Sequence, residues 1–394
     1  MLLKDELIKR IKTLQKKLEI ENLDSYIVTS EDNIWYLTNI TYKPEERPFF
    51  IIIQQKNKPI LIVPKLEESH LNKIIIDCTI LSYWEYPAGK GENWFDVLND
   101  VTKHFERVGF ETYIKVDLFD HIHVKEKVQI DLVDEMRKVK SEFELRQIIQ
   151  TARYCDKGMG MIFESAYEGA TVVEAFSLSR NIQTKLIQKK MFDPITTSLL
   201  TAVWPAPTSA MPHSIPNLSD RLGKGPNVAM SYFRINGYAA ECERTFFLTS
   251  PNEEEREHFD NMMRARKLAL NLIKPGMRAS DIDTEVKYFL IKKGYAENML
   301  HRVGHGIGLG NHEAPWVAEG SKDVLEENML ISVEPGLYFE GVGGYRHSDT
   351  VLITKNGCEF ITQFPDDISS MTKTSFNISK IIKGIITQKI LKLS

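Results

Sequence analysis

Apolar and polar residues alternate along the first third of the chain with two different periods. Over residues 3–20, leucine and isoleucine recur every three or four positions among lysines and glutamates, which predicts an amphipathic helix. Short runs rich in β-branched and aromatic residues predict strands at 25–29, 49–53, 60–63 and 74–80. Helices are expected at 65–73 and 94–108, and residues 33–37 are expected to continue into a loop. These elements predict a mixed α/β domain that ends in a charged linker near residue 135.

The pattern changes after this linker. Ser141 and Glu144 form a capping box, which predicts a helix that begins there and runs to about residue 166. Asn236-Gly237 joins two alternating segments and is the dipeptide most typical of a tight β-hairpin. Further helices are expected from residue 169, at 251–273 and at 280–293, a strand at 344–354, and a loop rich in Pro, Ser and Thr at 196–225. Prolines on both sides of His213 argue against a helix there and place this histidine on that loop.

Length and composition are those of an ordinary globular protein. At 394 residues the chain exceeds the usual single-core size, so we expect two domains. Its formal net charge of −4 gives no reason to expect a nucleic-acid partner. The four cysteines lie far apart, which argues against a zinc ribbon or a disulfide framework and favours a reducing compartment. No signal-peptide pattern and no apolar stretch of about 20 residues is present, so we expect a cytoplasmic protein without a membrane span.

The last stretch, residues 371–394, differs from the rest in charge. It contains five lysines and no acidic residue, with isoleucines at broadly helical spacing. We expect a solvated tail, with contact to a partner surface or an anionic membrane as the alternative. The expected division is therefore an N-terminal domain over residues 1–135, a second domain over 136–368 and a lysine-rich tail over 369–394.

Candidate chemistry is concentrated in the second domain. Three histidines, His301, His305 and His312, fall within a glycine-rich stretch. Glu334 follows an apolar run, where a carboxylate is costly unless it is paired or used. Glu241 and Glu243 alternate on the second strand of the hairpin, so both face one side of the sheet and Cys242 faces the other.

If Glu241, His305 and Glu334 converge, two kinds of chemistry are open to them. Two carboxylates and one imidazole could hold a single divalent metal ion. The same groups could instead bind a cationic or N–H-rich substrate, with His213 as the proton-transfer group. The sequence alone leaves both alternatives open.

The order of these motifs resembles that of the pita-bread hydrolases, which include prolidase, aminopeptidase P, methionine aminopeptidase and creatinase. The resemblance rests on the segments 237–246, 301–308, 312–315, 334–336 and 344–349, and it covers nearly the whole chain. It implies an α/β N-terminal domain followed by an α+β pita-bread catalytic domain, and a homodimer. It also implies that Arg47, on an N-terminal loop, could reach a substrate carboxylate in the partner subunit's site; the alternative is an ordinary solvated loop arginine.

The metal-ligand pattern of the peptidases in this group is only partly present. That pattern uses two Asp, one His and two Glu, and this chain keeps His305 and Glu334. Met230 stands at the first Asp position, Glu241 at the second, and Ser348 at the last Glu position. Methionine and un-ionised serine are poor ligands for a hard divalent ion, which argues against a two-metal mechanism.

Creatinase, which works without metal, departs from the peptidase pattern in a similar way. It resembles this chain in having Glu-Arg-Thr, here Glu243-Arg244-Thr245. The resemblance implies that His213 transfers the proton and that Glu334 with Glu243 or Glu241 orients the substrate. His305, His312 and Arg346 would then bind substrate and stabilise developing negative charge.

We therefore expect a creatinase-like hydrolase of a C–N bond in a small molecule or dipeptide, with no metal and no other cofactor. One alternative is an Xaa-Pro dipeptidase that depends on Mn²⁺ or Zn²⁺ held by Glu241, His305 and Glu334. The other is an inactive pita-bread protein that binds a partner.

Overall fold

The computed structural model describes residues 2–43, 45–69, 71, 74–374 and 378–393. Its internal contacts divide the chain into two compact units, Met1–Arg137 and Lys138–Ser394. An α/β unit followed by a larger α+β unit is the architecture expected from the sequence.

The first unit is built on one mixed sheet. Its helices are α1 (Leu3–Ile20), α2 (Glu31–Thr38), α3 (Trp94–Thr102), α4 (Val116–His121) and α5 (Leu132–Lys138). Its strands are β1 (Ser25–Val28), β2 (Phe50–Gln54), β3 (Ile60–Pro64), β4 (Thr79–Tyr83), β5 (Arg107–Phe110) and β6 (Glu126–Gln129). They pair in the order β4-β3-β2-β1-β5-β6, with β1 antiparallel to β2 and parallel to β5. Trp94 is fully buried in the core between α3 and this sheet.

Three predictions for this unit were wrong. Residues 33–37 lie in helix α2, which begins where the Ser30 side chain accepts a hydrogen bond from the backbone N–H of Asn33. Helix α3 ends at Thr102, so that 107–108 lie in strand β5. The strand expected at 74–80 is β4, a few residues later. The helix expected at 65–73 falls partly on undescribed residues, and its described part includes the short 3₁₀ turn Lys65–Glu67.

The second unit consists of helices packed on an antiparallel sheet. Its helices are α6 (Glu142–Ser165), α7 (Val172–Phe176), α8 (Ser179–Gln188), α9 (Glu253–Leu272), α10 (Ala279–Lys292) and α11 (Ile378–Ile390). Its strands are β7 (Ser198–Trp204), β8 (Asn227–Ile235), β9 (Tyr238–Phe246), β10 (Gly304–Gly306), β11 (Glu313–Val317), β12 (Leu330–Val333), β13 (Gly336–Phe339), β14 (Gly343–Arg346), β15 (Ser348–Thr354) and β16 (Gly357–Phe360). The main sheet runs β11-β10-β12-β15-β9-β8-β7, with β16 paired to β15, and β13 and β14 form a separate hairpin.

The sequence pattern explains the centre of this sheet. Asn236 and Gly237 both have positive φ, as the tight turn of the β8–β9 hairpin requires. The capping box of Ser141 and Glu144 is present at the start of α6, which packs against β8 and β9. Strand β7 was not predicted, since it lies inside the stretch that Pro, Ser and Thr had marked as loop. Among the described residues, no helix has the length and apolar content to cross a membrane.

Candidate active site

A cavity of about 450 Å³ opens on one face of the second unit's sheet. Neighbouring strands supply its walls, so residues far apart in sequence meet here. The predicted site residues that line it are His213, Glu241, Glu243, His312, Glu334 and Arg346. His305 lies directly behind them and is fully buried.

Strand β10 places His305 between two close neighbours. It pairs with β12 on one side and β11 on the other, and both approaches are tight. A Cβ atom at Gly304 would collide with the carbonyl oxygen of Ser332, and one at Gly306 with the backbone of Ala314. The Gly-His-Gly sequence is therefore what allows this imidazole to sit inside the sheet.

The His305 imidazole faces two carboxylates. Its Nε2 lies 3.1 Å from Glu334 Oε1 and 3.7 Å from Glu241 Oε1, yet it makes no well-directed hydrogen bond to either. Its Nδ1 lies 3.0 Å from the carbonyl oxygen of Gly306 and donates to it. The ligand atoms of these three side chains lie within 4.8 Å of one another, close enough to share one ion. Among the described His, Cys, Asp and Glu residues, this is the group of three or more that meets that condition.

Charge and burial act on this cluster in opposite directions. Burial disfavours the imidazolium of His305, but Glu334 and Glu241 outweigh it and raise the pKa of His305 to about 9. Burial also opposes ionisation of Glu334, but His305 prevails and holds the pKa of that carboxyl well below its usual range. Burial raises the pKa of Glu241, against the attraction of His305. Without a metal ion, the cluster thus keeps a proton on His305 at neutral pH.

Two of the three departures from the peptidase ligand pattern, Ser348 and Met230, lie beside this cluster. Ser348 donates a hydrogen bond of 2.9 Å to Glu241 Oε1, and its Oγ lies 2.8 Å from that of Ser332. Met230 lines the cavity and pairs with Glu243 across the β8–β9 ladder. A hydroxyl and a thioether therefore stand where that pattern has carboxylates. The donor set fits one divalent ion on Glu241, His305 and Glu334, and it does not fit two.

Glu243 and Arg346 form a buried ion pair in the cavity wall. Arg346 Nη2 lies 2.8 Å from Glu243 Oε1, and Nε lies 2.6 Å from Oε2. Arg346 also donates to the hydroxyl of Tyr338, which in turn lies 2.7 Å from Nε2 of His301. Burial lowers the pKa of His301 and so favours the neutral ring, in which Nδ1 donates to the Arg302 carbonyl and Nε2 accepts from Tyr338. Asp349, which follows on the next strand, pairs instead with Arg244 and Arg266.

Two exposed histidines stand at the mouth of the cavity. The rings of His213 and His312 are nearly parallel, with centroids 6.5 Å apart. Burial and the nearby His305 lower the pKa of His312 to about 4, so this ring is neutral at pH 7. Glu313 fixes the turn before His312 by accepting from the backbone N–H of Leu309, and Lys140 pairs with Glu313 at 3.1 Å.

Arg302 is a cavity residue to which the sequence gave no role. Its guanidinium lies over the ring of Trp316, 4.7 Å from the ring centroid, and its Nε is buried without a hydrogen bond. Among the described residues no carboxylate pairs with it. The sequence did contain a signal for Arg302: it lies between His301 and His305, and no acidic residue stands three or four positions away to pair with it.

The remaining predicted residues lie elsewhere. Arg47 belongs to the first unit, where it pairs with Glu46 and Glu85, the latter at 2.6 Å. Cys242 is fully buried and does not line the cavity, as strand alternation predicted.

Comparisons with known protein families identify the family of this chain. Residues 131–355, more than half of the chain, match metallopeptidase family M24. The chain belongs to family M24. Residues 10–139 of this M24 protein match the creatinase/prolidase N-terminal domain. The pita-bread architecture expected for the catalytic unit is thereby confirmed, and the protein is a hydrolase of C–N bonds.

Individual relatives of this M24 protein include dipeptidases. An Xaa-Pro dipeptidase of Pyrococcus furiosus is 28% identical over 361 residues, which cover 90% of this chain and 97% of that protein. The structure of an Xaa-Pro dipeptidase from Bacillus anthracis has a TM-score of 0.78 at 24% identity, covering 92% of this chain and 99% of that one. The N-terminal domain of the FACT complex subunit SPT16 from chickpea also has a TM-score of 0.78, at 12% identity, covering 94% and 99%. The fold alone therefore does not identify an enzyme, and the family assignment rests on the sequence.

These comparisons favour the metal-dependent peptidase over the metal-free, creatinase-like hydrolase. The metal-free, creatinase-like assignment finds no support in them, and the expectation of no cofactor is not supported either. The peptidase alternative is the better supported one, and the structure brings together three side chains whose ligand atoms lie close enough to share one ion. The homodimer and the cytoplasmic location stay predictions.

Proposed function

We propose that this M24 protein is a single-metal dipeptidase that hydrolyses the peptide bond of short Xaa-Pro-type substrates. Mn²⁺ or Zn²⁺ would be held by Glu241, His305 and Glu334. The relatives' activity supports the substrate class. The incomplete five-ligand set supports one ion instead of two.

One observation carries the proposal: the hydrogen bonding of His305. Its Nδ1 donates to the Gly306 carbonyl, which leaves the Nε2 lone pair for a ligand. A backbone carbonyl holding one nitrogen is the usual support of a metal-binding histidine. Nε2 is buried, points between two carboxylates and lacks a directed hydrogen bond, as expected of a ligand atom rather than a packing residue.

The roles of the cavity side chains follow from their positions. A metal ion in the cluster would supply Lewis acidity toward the scissile carbonyl. Glu334, which lines the cavity, is assigned removal of the proton from the attacking water. Neutral His312 donates a hydrogen bond to the developing oxyanion, and His213 protonates the leaving nitrogen. Glu243 holds Arg346 in the wall and is therefore given a supporting role, since its carboxylate is already bound.

We assign to Arg302 the binding of the substrate's free carboxylate. Arginine binds carboxylates through two parallel N–H bonds, and here the guanidinium is held over Trp316 without a competing acid. A carboxylate bound at this point would favour dipeptides over longer peptides and over amides.

The proposal is tested by metal content and turnover together. Purified protein is stripped with chelator, assayed on an Xaa-Pro dipeptide, creatine and ectoine, and assayed again with Mn²⁺ or Zn²⁺ restored. We expect dipeptide hydrolysis only with metal, at about one ion per chain by elemental analysis. Turnover that survives stripping would overturn the proposal in favour of the metal-free route. Absence of turnover on the whole panel despite a bound ion would favour the binding-protein alternative.

Arg302→Met is expected to weaken dipeptide binding selectively. Methionine can still pack on Trp316 but cannot bind a carboxylate, so KM for an Xaa-Pro dipeptide should rise about tenfold or more while kcat changes little. The same change should leave KM for the corresponding dipeptide amide unaltered. Arg264→Met, an exposed arginine of α9, is the matched control. An equal rise in KM for dipeptide and amide would show that Arg302 does not bind the carboxylate.

Metal affinity is expected to rise with pH. The pKa of His305 in the metal-free cluster is about 9, and Nε2 must lose its proton to become a ligand. Below pH 9 each ion therefore displaces about one proton, and the apparent association constant should rise about tenfold per pH unit, then level off. Competition with a fluorescent chelator across this range measures the slope. A flat profile would mean that His305 does not bind the ion.

A further inference from the structure

Helix α11 is attached to the second unit by its polar side. Gln388 Nε2 donates to Glu174 Oε1 at 2.9 Å, and Arg221 donates to Gln388 Oε1 at 2.9 Å. Gly384 is buried so close to Tyr167 that a Cβ atom there would collide with the phenol oxygen. These are the two buried residues of the helix. A glycine and a glutamine thus face the protein.

The apolar side of the same helix faces solvent. Its exposed isoleucines are Ile378, Ile382, Ile385, Ile386 and Ile390, each between 44% and 72% exposed. At 100° per residue they fall within one arc of the helix, opposite Gly384 and Gln388. An amphipathic helix of a globular protein normally docks with its apolar face inward, so this orientation leaves an apolar surface that needs a partner.

Charge identifies the partner's chemistry. Residues 378–393 contain four lysines and no acidic residue. Lys383 lies at one edge of the isoleucine arc, Lys389 lies within it, and Lys392 follows the end of the helix; all three are exposed. Apolar residues flanked by lysines are typical of helices that lie in the headgroup layer of an anionic bilayer. A second copy of this helix would instead bring lysines against lysines, which is unfavourable.

We propose that α11 binds the surface of an anionic membrane, with its isoleucines at the boundary between headgroups and acyl chains and its lysines at the phosphates, and so holds the protein at that surface. This function is separate from peptide hydrolysis, because neither the isoleucine face nor the lysines line the cavity.

The test is co-sedimentation of the full chain with large vesicles. In low salt we expect binding to vesicles of equal phosphatidylglycerol and phosphatidylcholine, and about tenfold weaker binding to phosphatidylcholine alone or in 0.5 M NaCl. Ile382→Gln/Ile386→Gln should reduce binding about tenfold or more, and Lys383→Gln/Lys389→Gln should do so by a similar factor. Thermal unfolding of each variant checks that the fold is kept.

The matched control is Ile187→Gln/Ile291→Gln, which changes two comparably exposed isoleucines of α8 and α10, 54% and 51% exposed. Its vesicle binding should equal that of the native chain. Failure of the native chain to bind anionic vesicles would overturn the proposal, as would undiminished binding by both α11 variants. A dimer that the isoleucine variant converts to monomer, without vesicle binding, would assign the face to a second copy and also overturn it.

Discussion

Glu334→Gln is expected to lower kcat/KM for a dipeptide by at least about a thousandfold, a loss of about 4 kcal/mol of transition-state stabilisation. Glutamine keeps the volume of the side chain but removes the negative charge that faces His305 and the cavity. Both the assigned proton acceptor and one of the two anionic metal ligands are lost together. The stripped variant should also bind metal at least about tenfold more weakly than the native chain.

Steady-state kinetics and elemental analysis measure the two effects separately. The control is Glu327→Gln, an exposed glutamate in the loop before β12, which should leave both unchanged. A variant that retains more than about a tenth of native kcat/KM would show that Glu334 is not the proton acceptor, and an unchanged metal affinity would show that it is not a ligand.

Restoring the missing carboxylates is expected to change the metal stoichiometry. The triple variant Met230→Asp/Glu241→Asp/Ser348→Glu recreates the five-ligand pattern of the two-metal peptidases around His305 and Glu334. Met230 lines the cavity and Ser348 already contacts Glu241, so the new carboxylates start close to the cluster. We expect about two ions of Mn²⁺ per chain, against about one in the native protein.

The control for this variant adds the same number of carboxylates away from the cavity. Leu218→Asp/Ser219→Glu places them on an exposed loop, and its stoichiometry should stay at the native value. Two ions per native chain would contradict the single-metal proposal directly. One ion in the triple variant, with its thermal unfolding unchanged, would show that ligand identity does not set the number of ions.

Local pattern was enough to predict part of this site. Alternation on β9 correctly predicted that Glu241 and Glu243 face one side and Cys242 the other, because a strand has a fixed two-residue period. The sequence did not predict that Glu241, His305 and Glu334 converge; it only indicated what chemistry they could perform if they did. Their convergence depends on the order β10-β12-β15-β9, which is a tertiary property.

Other features could not be read from local pattern for the same reason. The ion pair of Glu243 and Arg346 joins residues 103 positions apart and depends on the hairpin of β13 and β14. In helix α2, Ile34, Trp35 and Tyr36 have strand propensity, but the burial of all three side chains and the cap at Ser30 override it. Strand β7 pairs with β8 along all seven of its residues, a tertiary contact that the Pro, Ser and Thr pattern of 196–225 does not show.

The ion pair in the cavity wall has a consequence for electroneutrality. Glu243 is compensated by Arg346, so the charge left uncompensated around His305 is that of Glu241 and Glu334, two negative charges in all. One divalent ion cancels them, whereas a second would leave two positive charges in a largely buried place, at a cost of several kcal/mol per ion. The positive charge of Arg302 is then left to be balanced by the substrate. The charges of the cavity therefore sum to zero only when an anionic substrate is bound.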